Sequence, residues 1–256
     1  MGRGPVIERQ KQLNNAARGK SFTLHAKLVA MAALGGADPT ENSALAEAIY
    51  KAKKDNVTNE VIDRAIKRGS GQEKWAAQIE SVIFEGYAAG GVAIITTALT
   101  DNRNRTVSSV RHAFTKCGAN LGETGSVSNF AFRYVGEIVL ESPLTEALEL
   151  DILESGASDY RERELGVVIV ECVWWVYASV RNFLVSRGYI ILSSGGEYIP
   201  TNTVELSEFD KALKVHTLIS TLEEDDDVES VWHNAIIAPE IVTQITAHLE
   251  SNRFRT

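Results

Sequence analysis

The stretch GGVAIITTALTDNRNRTVSSVRHAFTKCG, residues 90–118, decides the fold. Gly91–Leu99 reads as a strand, rich in β-branched and small apolar residues. Thr100-Asp101-Asn102 stops it. A helix follows with Val107, Val110 and Phe114 on its buried face, and Gly118 closes it. Just upstream, Ser81–Tyr87 reads as a second strand, joined to the first by the Gly-rich turn Ala88-Ala89-Gly90-Gly91. Two strands and a helix in this order start an α/β layer.

Towards the N-terminus the pattern turns helical. Residues 13–34 lack Pro, are rich in Ala and Leu, and place Phe22, Leu24, Leu28 and Met31 at helical spacing. Gly35-Gly36 and Asp38-Pro39 break that helix. Asn42 or Ser43 caps a second one through Leu45, Ala48, Ile49 and Ala52, and Thr58 caps a third that ends at Gly69-Ser70-Gly71. Towards the C-terminus, Gly122, Gly125 and Ser126 mark a loop, with Val127–Tyr134 strand-like beyond it. Gly136 begins another unit: strand Glu137–Glu141, helix Thr145–Ser155, strand Val167–Val173, helix Val176–Arg187 and strand Tyr189–Ser194. A helix over Ser207–Glu223, an acidic turn Glu223–Asp227 and a strand Val228–His233 complete the series. The class is α+β and multi-domain: a three-helix domain, then two ferredoxin-like α/β domains.

Charge divides the chain unevenly. The net is −8, but residues 1–74 carry 13 Lys/Arg against 8 Asp/Glu, and residues 75–256 carry 13 against 26. Arg3, Arg9, Lys11, Arg18, Lys20 and Lys27 stand against Glu8 alone in the first 27 positions. A basic arm on an acidic body suits a localised polyanion contact, and it equally suits a solvated terminus. Cys117 and Cys172 are far apart, with no CxxC or Cys/His cluster near either, which fits a reducing cytoplasm better than zinc or disulfides. No apolar segment follows Met1, so no secretory signal is expected, and Val167–Val180 is too short to span a bilayer.

Chemistry-bearing motifs are missing from the sequence. GxGxxG after a strand, GxxxxGK[ST], HExxH and GxSxG do not occur, and the five histidines are scattered singly. Glu223–Asp227 lacks the alternation and the glycine of a calcium loop, and reads as a solvated helix end. No catalytic residue, cofactor, metal or small-molecule substrate is expected. The positive signal is cationic. It comprises the arm residues Arg9, Lys11, Arg18, Lys20 and Lys27, then Lys67-Arg68 at the end of the helical domain, then Arg103, Arg105 and Arg111 at the strand-to-helix turn. Guanidinium forks there can hold phosphates bidentately, although Arg103 or Arg105 can instead pair internally with Asp101 or Glu85.

These stretches resemble the YebC family, which includes bacterial regulators and the mitochondrial translational activator of cytochrome oxidase. The match runs through Arg18-Gly19-Lys20, Gly35–Pro39, Arg64–Gly71, Glu85-Gly86-Tyr87, Leu99–Thr106, Gly118–Val127, Ile199-Pro200 and Asp226–Asn234. The resemblance implies three domains, with the third inserted into the second: residues 1–76, then 77–134 with 205–243, then 135–204. It implies a cytoplasmic, non-catalytic role in gene expression, through DNA or through ribosomal RNA and the ribosome. A protein-interaction module docking a basic partner on its acidic domains is the other reading. This sequence departs from the family at Met1–Glu8, at Ala89 in place of a usual Pro, and at Ala46 where an Arg, a further phosphate contact, is common.

Overall fold

The computed structural model describes residues 19–73, 77–164 and 166–253, in two compact units: Met1–Thr124 with Glu205–Thr256, and Gly125–Val204. The first unit begins with helix α1 over residues 19–32, a 3-10 turn Ala33–Gly35, α2 (Ser43–Lys54) and α3 (Asn59–Gly69). The expected start of the first helix, residues 13–18, lies outside the described residues. Val29, Ala30 and Ala33 pack with Leu45, Ala52, Ile62 and Ala65 in one apolar cluster, as the helical spacing predicts.

Asn42 fixes the corner between α1 and α2. Its Oδ1 accepts from Leu45 N at 3.1 Å, and its Nδ2 donates to Ala32 O at 2.7 Å and Gly36 O at 2.9 Å. One side chain therefore caps α2 and satisfies two carbonyls at the end of α1. Asn42→Ala is expected to cost about 1–2 kcal/mol in urea unfolding, at the upper end for a lost cap. A change under roughly 0.5 kcal/mol would leave the corner to packing alone.

The rest of this unit is an antiparallel sheet carrying helices. β1 (Glu80–Ala88) and β2 (Val92–Thr100) form a hairpin with Ala88 opposite Val92, turned by Ala89–Gly91. Gly90 and Gly91 adopt φ 75° and 80°, so the bend rests on glycine and tolerates Ala89. α4 (Arg103–Lys116), β3 (Asn120–Leu121), β8 (Val204–Leu206), α8 (Phe209–Glu224), β9 (Val228–His233), β10 (Ala235–Ile237) and α9 (Pro239–Arg253) complete the secondary structure, β8 lying at the join of the two units. The order is β3-β1-β2-β9, and β8 and β10 form a separate pair. Every residue of the central β2 is buried, which is why its apolar run does not alternate. α4 buries Val110, Ala113 and Phe114, and α8 beside it buries Ala212, Val215, Leu218 and Leu222.

The second unit runs α5 (Ser128–Ala131), β4 (Phe132–Glu141), α6 (Glu146–Ser155), β5 (Asp159–Glu164), β6 (Val167–Val173), α7 (Tyr177–Ser186) and β7 (Ile190–Pro200). From β4 onward this is βαββαβ, with all neighbours antiparallel in the order β5-β6-β4-β7, the ferredoxin-like arrangement expected. Two local expectations change, and one strand is added that the sequence pattern does not show. Val127–Ala131 turns as a helix: Val127 is fully buried and its carbonyl takes the N–H of Phe130 and Ala131, which leaves Phe130 76% exposed and breaks the alternation of a strand. Gly136 sits inside β4 and starts nothing. A Cβ there would come within 2.7 Å of Tyr177, so the glycine serves close packing. β5, with the sequence DYRERE, is an edge strand whose charges hide it from a hydrophobic pattern.

Candidate nucleic-acid interface

The strand-to-helix turn that carries the Arg/Asn motif is built around a buried carboxylate. Asn102 caps α4, its Oδ1 accepting from Arg105 N at 3.1 Å. That places Arg105 and Thr106 on the first turn, facing the loop between α8 and β9. There Asp227 is only 6% exposed. Its Oδ1 takes Lys27 Nζ of α1 at 2.6 Å, and its Oδ2 takes Thr106 Oγ1 at 2.7 Å and Arg105 Nη2 at 2.8 Å. Its own carbonyl accepts Leu99 N at 2.8 Å, which starts the β2–β9 pairing. Burial alone would raise the Asp227 pKa, but the hydrogen bonds from Lys27, Arg105 and Thr106 outweigh it and hold the carboxyl at about 2.

A second carboxylate extends the network. Asp101 receives Arg68 Nη2 at 3.0 Å and Arg105 Nη2 at 3.1 Å, and the Arg68 hydrogen bond is the largest influence holding its pKa below the ordinary value. Arg68 Nη2 also reaches Ala77 O at 3.0 Å. Lys20 Nζ donates to the Glu223 carbonyl. Burial lowers its pKa, while Asp225, Asp226 and Glu223 pull the other way. A cleft of about 1010 Å³ opens beside this network, with Phe22, Val61 and Ile79 in its apolar lining and Arg64, Glu224 and Asp226 in its charged lining. Its mixed signs do not describe a phosphate groove.

The ten sequence-predicted cations fall into three groups. Arg9, Lys11 and Arg18 lie outside the described residues. Lys20, Lys27, Arg68 and Arg105 are brought together, but by internal carboxylates and carbonyls. Lys67, Arg103 and Arg111 are exposed; Arg103 keeps a loose contact with Glu80 at 3.6 Å, and its side chain is 64% exposed. The internal pairing of Arg105 with Asp101 is therefore real, and its main partner is one that sequence reasoning missed. Asp227 sits in the acidic run read as a solvated turn. Its one signal was position, as the last acid before the apolar strand Val228–His233. Among the described residues no three His, Cys, Asp or Glu side chains are placed to hold a metal ion, and no helix is long and apolar enough to cross a membrane.

A helical bundle followed by two helix-covered antiparallel sheets defines a mixed α+β protein of several domains, and comparison with known proteins narrows it. Residues 4–72 match the TACO1/YebC N-terminal domain, and residues 79–235 match the TACO1/YebC second and third domain. The chain belongs to the TACO1/YebC family. A Clostridioides difficile relative is 43% identical over 238 residues, covering 91% of this chain and 98% of its own, and one from Finegoldia magna is 41% identical over 231 residues, covering 89% and 95%. Both bear the name "probable transcriptional regulatory protein". The crystal structure of a conserved hypothetical protein from Aquifex aeolicus superposes with a TM-score of 0.75 at 42% identity, covering 86% of this chain and 91% of that one.

Proposed function

We propose that this protein is a non-enzymatic, cytoplasmic regulator of gene expression that grips nucleic-acid phosphates with its basic N-terminal part. Its domains are read as residues 1–76, 77–134 with 205–243, and an inserted 135–204. The observation that carries the reading is the charge split: 13 Lys/Arg against 8 Asp/Glu in residues 1–74, and 13 against 26 thereafter. Polyanion contact then centres on residues 1–74, joined by the exposed cations of α4, and the acidic remainder repels non-specific binding. With Lys27, Arg68 and Arg105 engaged internally, the contacting set is the arm (Arg9, Lys11, Arg18) with Lys67, Arg103 and Arg111.

Phosphate contacts position a protein without reading sequence, and no helix-turn-helix or other base-reading motif is evident in the sequence. This favours ribosomal RNA over duplex DNA as the target. The relatives' names favour DNA as the second reading. The test is co-sedimentation with ribosomes on sucrose gradients, with binding to an RNA fragment titrated against salt. Arg9→Gln/Lys11→Gln/Arg18→Gln is expected to lower the slope of log affinity against log salt by about 2 and to release the protein from ribosomal particles. An unchanged slope and unchanged sedimentation would remove the arm from the interface. Recovery on defined DNA fragments, with no ribosomal migration, would move the target to DNA.

A further inference from the structure

The second unit holds a fixed run of aromatic rings at one end of its sheet, outside everything assigned above. Phe132 meets Tyr198 edge-on at 6.4 Å between centroids, Tyr198 meets Tyr134 at 4.8 Å, Tyr134 meets Trp174 at 5.1 Å, and Trp174 stacks on Tyr177 at 5.1 Å with 15° between planes. Two glycines hold the run in place. Gly136 and Gly196 are cross-strand partners, and a Cβ on the first would press on Tyr177, one on the second on Tyr134. The rings lie in the trough left by the missing side chains, so their positions are set by the sheet.

The outer part of the run is exposed. Tyr134 and Trp174 are each 44% exposed, and Trp175, the next residue, is 83% exposed. Trp174, held between Tyr134 and Tyr177 yet left in solvent beside the exposed Trp175, brings little return inside the fold, and such patches mark binding surfaces. Charge selects the occupant. Residues 125–204 contain five Arg and no Lys against eleven Asp/Glu. Arg133, Arg161 and Arg187 are moreover neutralised by Glu171, Glu137, Asp151 and Glu154. A polyanion is repelled here. A cation is attracted both by the net negative charge of this unit and by the ring faces.

We propose that the Tyr134–Trp174–Trp175 surface docks an arginine-bearing peptide segment of a partner protein, the guanidinium groups lying over the indole faces. Arginine is specified over lysine because its planar group stacks as well as carrying charge. This goes beyond the nucleic-acid reading and does not rest on it, since it uses the other unit and the opposite charge.

The test uses the full chain and labelled nona-arginine, nona-lysine and oligo-uridine probes in anisotropy titrations near physiological salt, ~0.15 M. Nona-arginine is expected to bind at least about five-fold tighter than nona-lysine. Trp175→Ala is expected to erase that preference, and Trp175→Phe to keep most of it; at 83% exposure neither change threatens folding. The Arg9→Gln/Lys11→Gln/Arg18→Gln variant should bind nona-arginine as the parent does, whatever it does to nucleic acid. Equal affinity for the two peptides, or a preference unmoved by Trp175→Ala, overturns the proposal. Loss of oligo-uridine binding in Trp175→Ala with peptide binding intact overturns it in favour of base stacking.

Discussion

Asp227→Ala is expected to destabilise the first unit by about 3–5 kcal/mol, the range for removing one partner of a buried ion pair. The cost comes from what stays behind. Lys27, with a side chain 11% exposed, would lose its only anionic oxygen within ion-pair distance among the described residues, retaining just the Asp226 carbonyl at 2.9 Å. Thr106, fully buried, would lose its 2.7 Å acceptor. Urea unfolding is the measurement. Pairing Asp227→Asn with Lys27→Met should recover part of the loss, because the double change removes both buried charges, while the half-exposed Arg105 keeps Asp101 at 3.1 Å. Additive losses would mean that the carboxylate and the ammonium do not stabilise one another.

The same group sets an acid limb. Asp227 sits at about 2 in the folded protein, below the roughly 3.9 of an unfolded aspartate. A lowered folded pKa gives stability that is fully present above the unfolded value and is lost as pH falls through the folded one. Stability should therefore drop between about pH 4 and pH 2 in the parent protein, and more shallowly in Asp227→Asn.

How far the sequence foretold this site depends on the kind of signal. The strand–turn–helix at residues 90–118 was legible because propensity, capping and termination agree there: Asn102 caps, Gly118 at φ 67° ends the turn after α4, and β2 and α4 formed where the pattern put them. Arg105 was legible as important, but its partner was not. Asp227 lies 122 positions away, in a run of five acids that local reasoning treats alike. Only the pairing of β2 with β9 brings it under α4, and long-range registers are not written in a window of ten residues. Unit two shows the complementary failure. β5 carries too many charges to be seen as a strand, and Phe130 looks like one while standing in solvent.

Glycines show the same limit, and the second large prediction follows from one of them. Gly69-Ser70-Gly71 reads as a helix terminator, yet the two glycines do different work. Gly71 has φ 76° and open space around its Cβ position, so it ends α3 through its left-handed backbone. Gly69 is still helical, with φ outside the positive range, and a Cβ there would overlap the Ala30 carbonyl and come within 2.7 Å of its carbon and 2.9 Å of its Cα. What it meets is backbone in α1, which cannot rotate away as a side chain can. Gly69→Ala is therefore expected to push α3 off α1 and cost about 3 kcal/mol or more, despite alanine's better helix propensity. Gly71→Ala should cost only about 1 kcal/mol, from backbone strain alone. Because α3 also carries Arg68 to Asp101, the Gly69 change should reach the Asp227 network as well. Its loss should then be less than additive with Asp227→Asn in urea unfolding. Equal costs at the two glycines would mean that α1 and α3 can separate freely, and the close approach at Gly69 would then contribute nothing to holding Lys27 and Arg68 at the network.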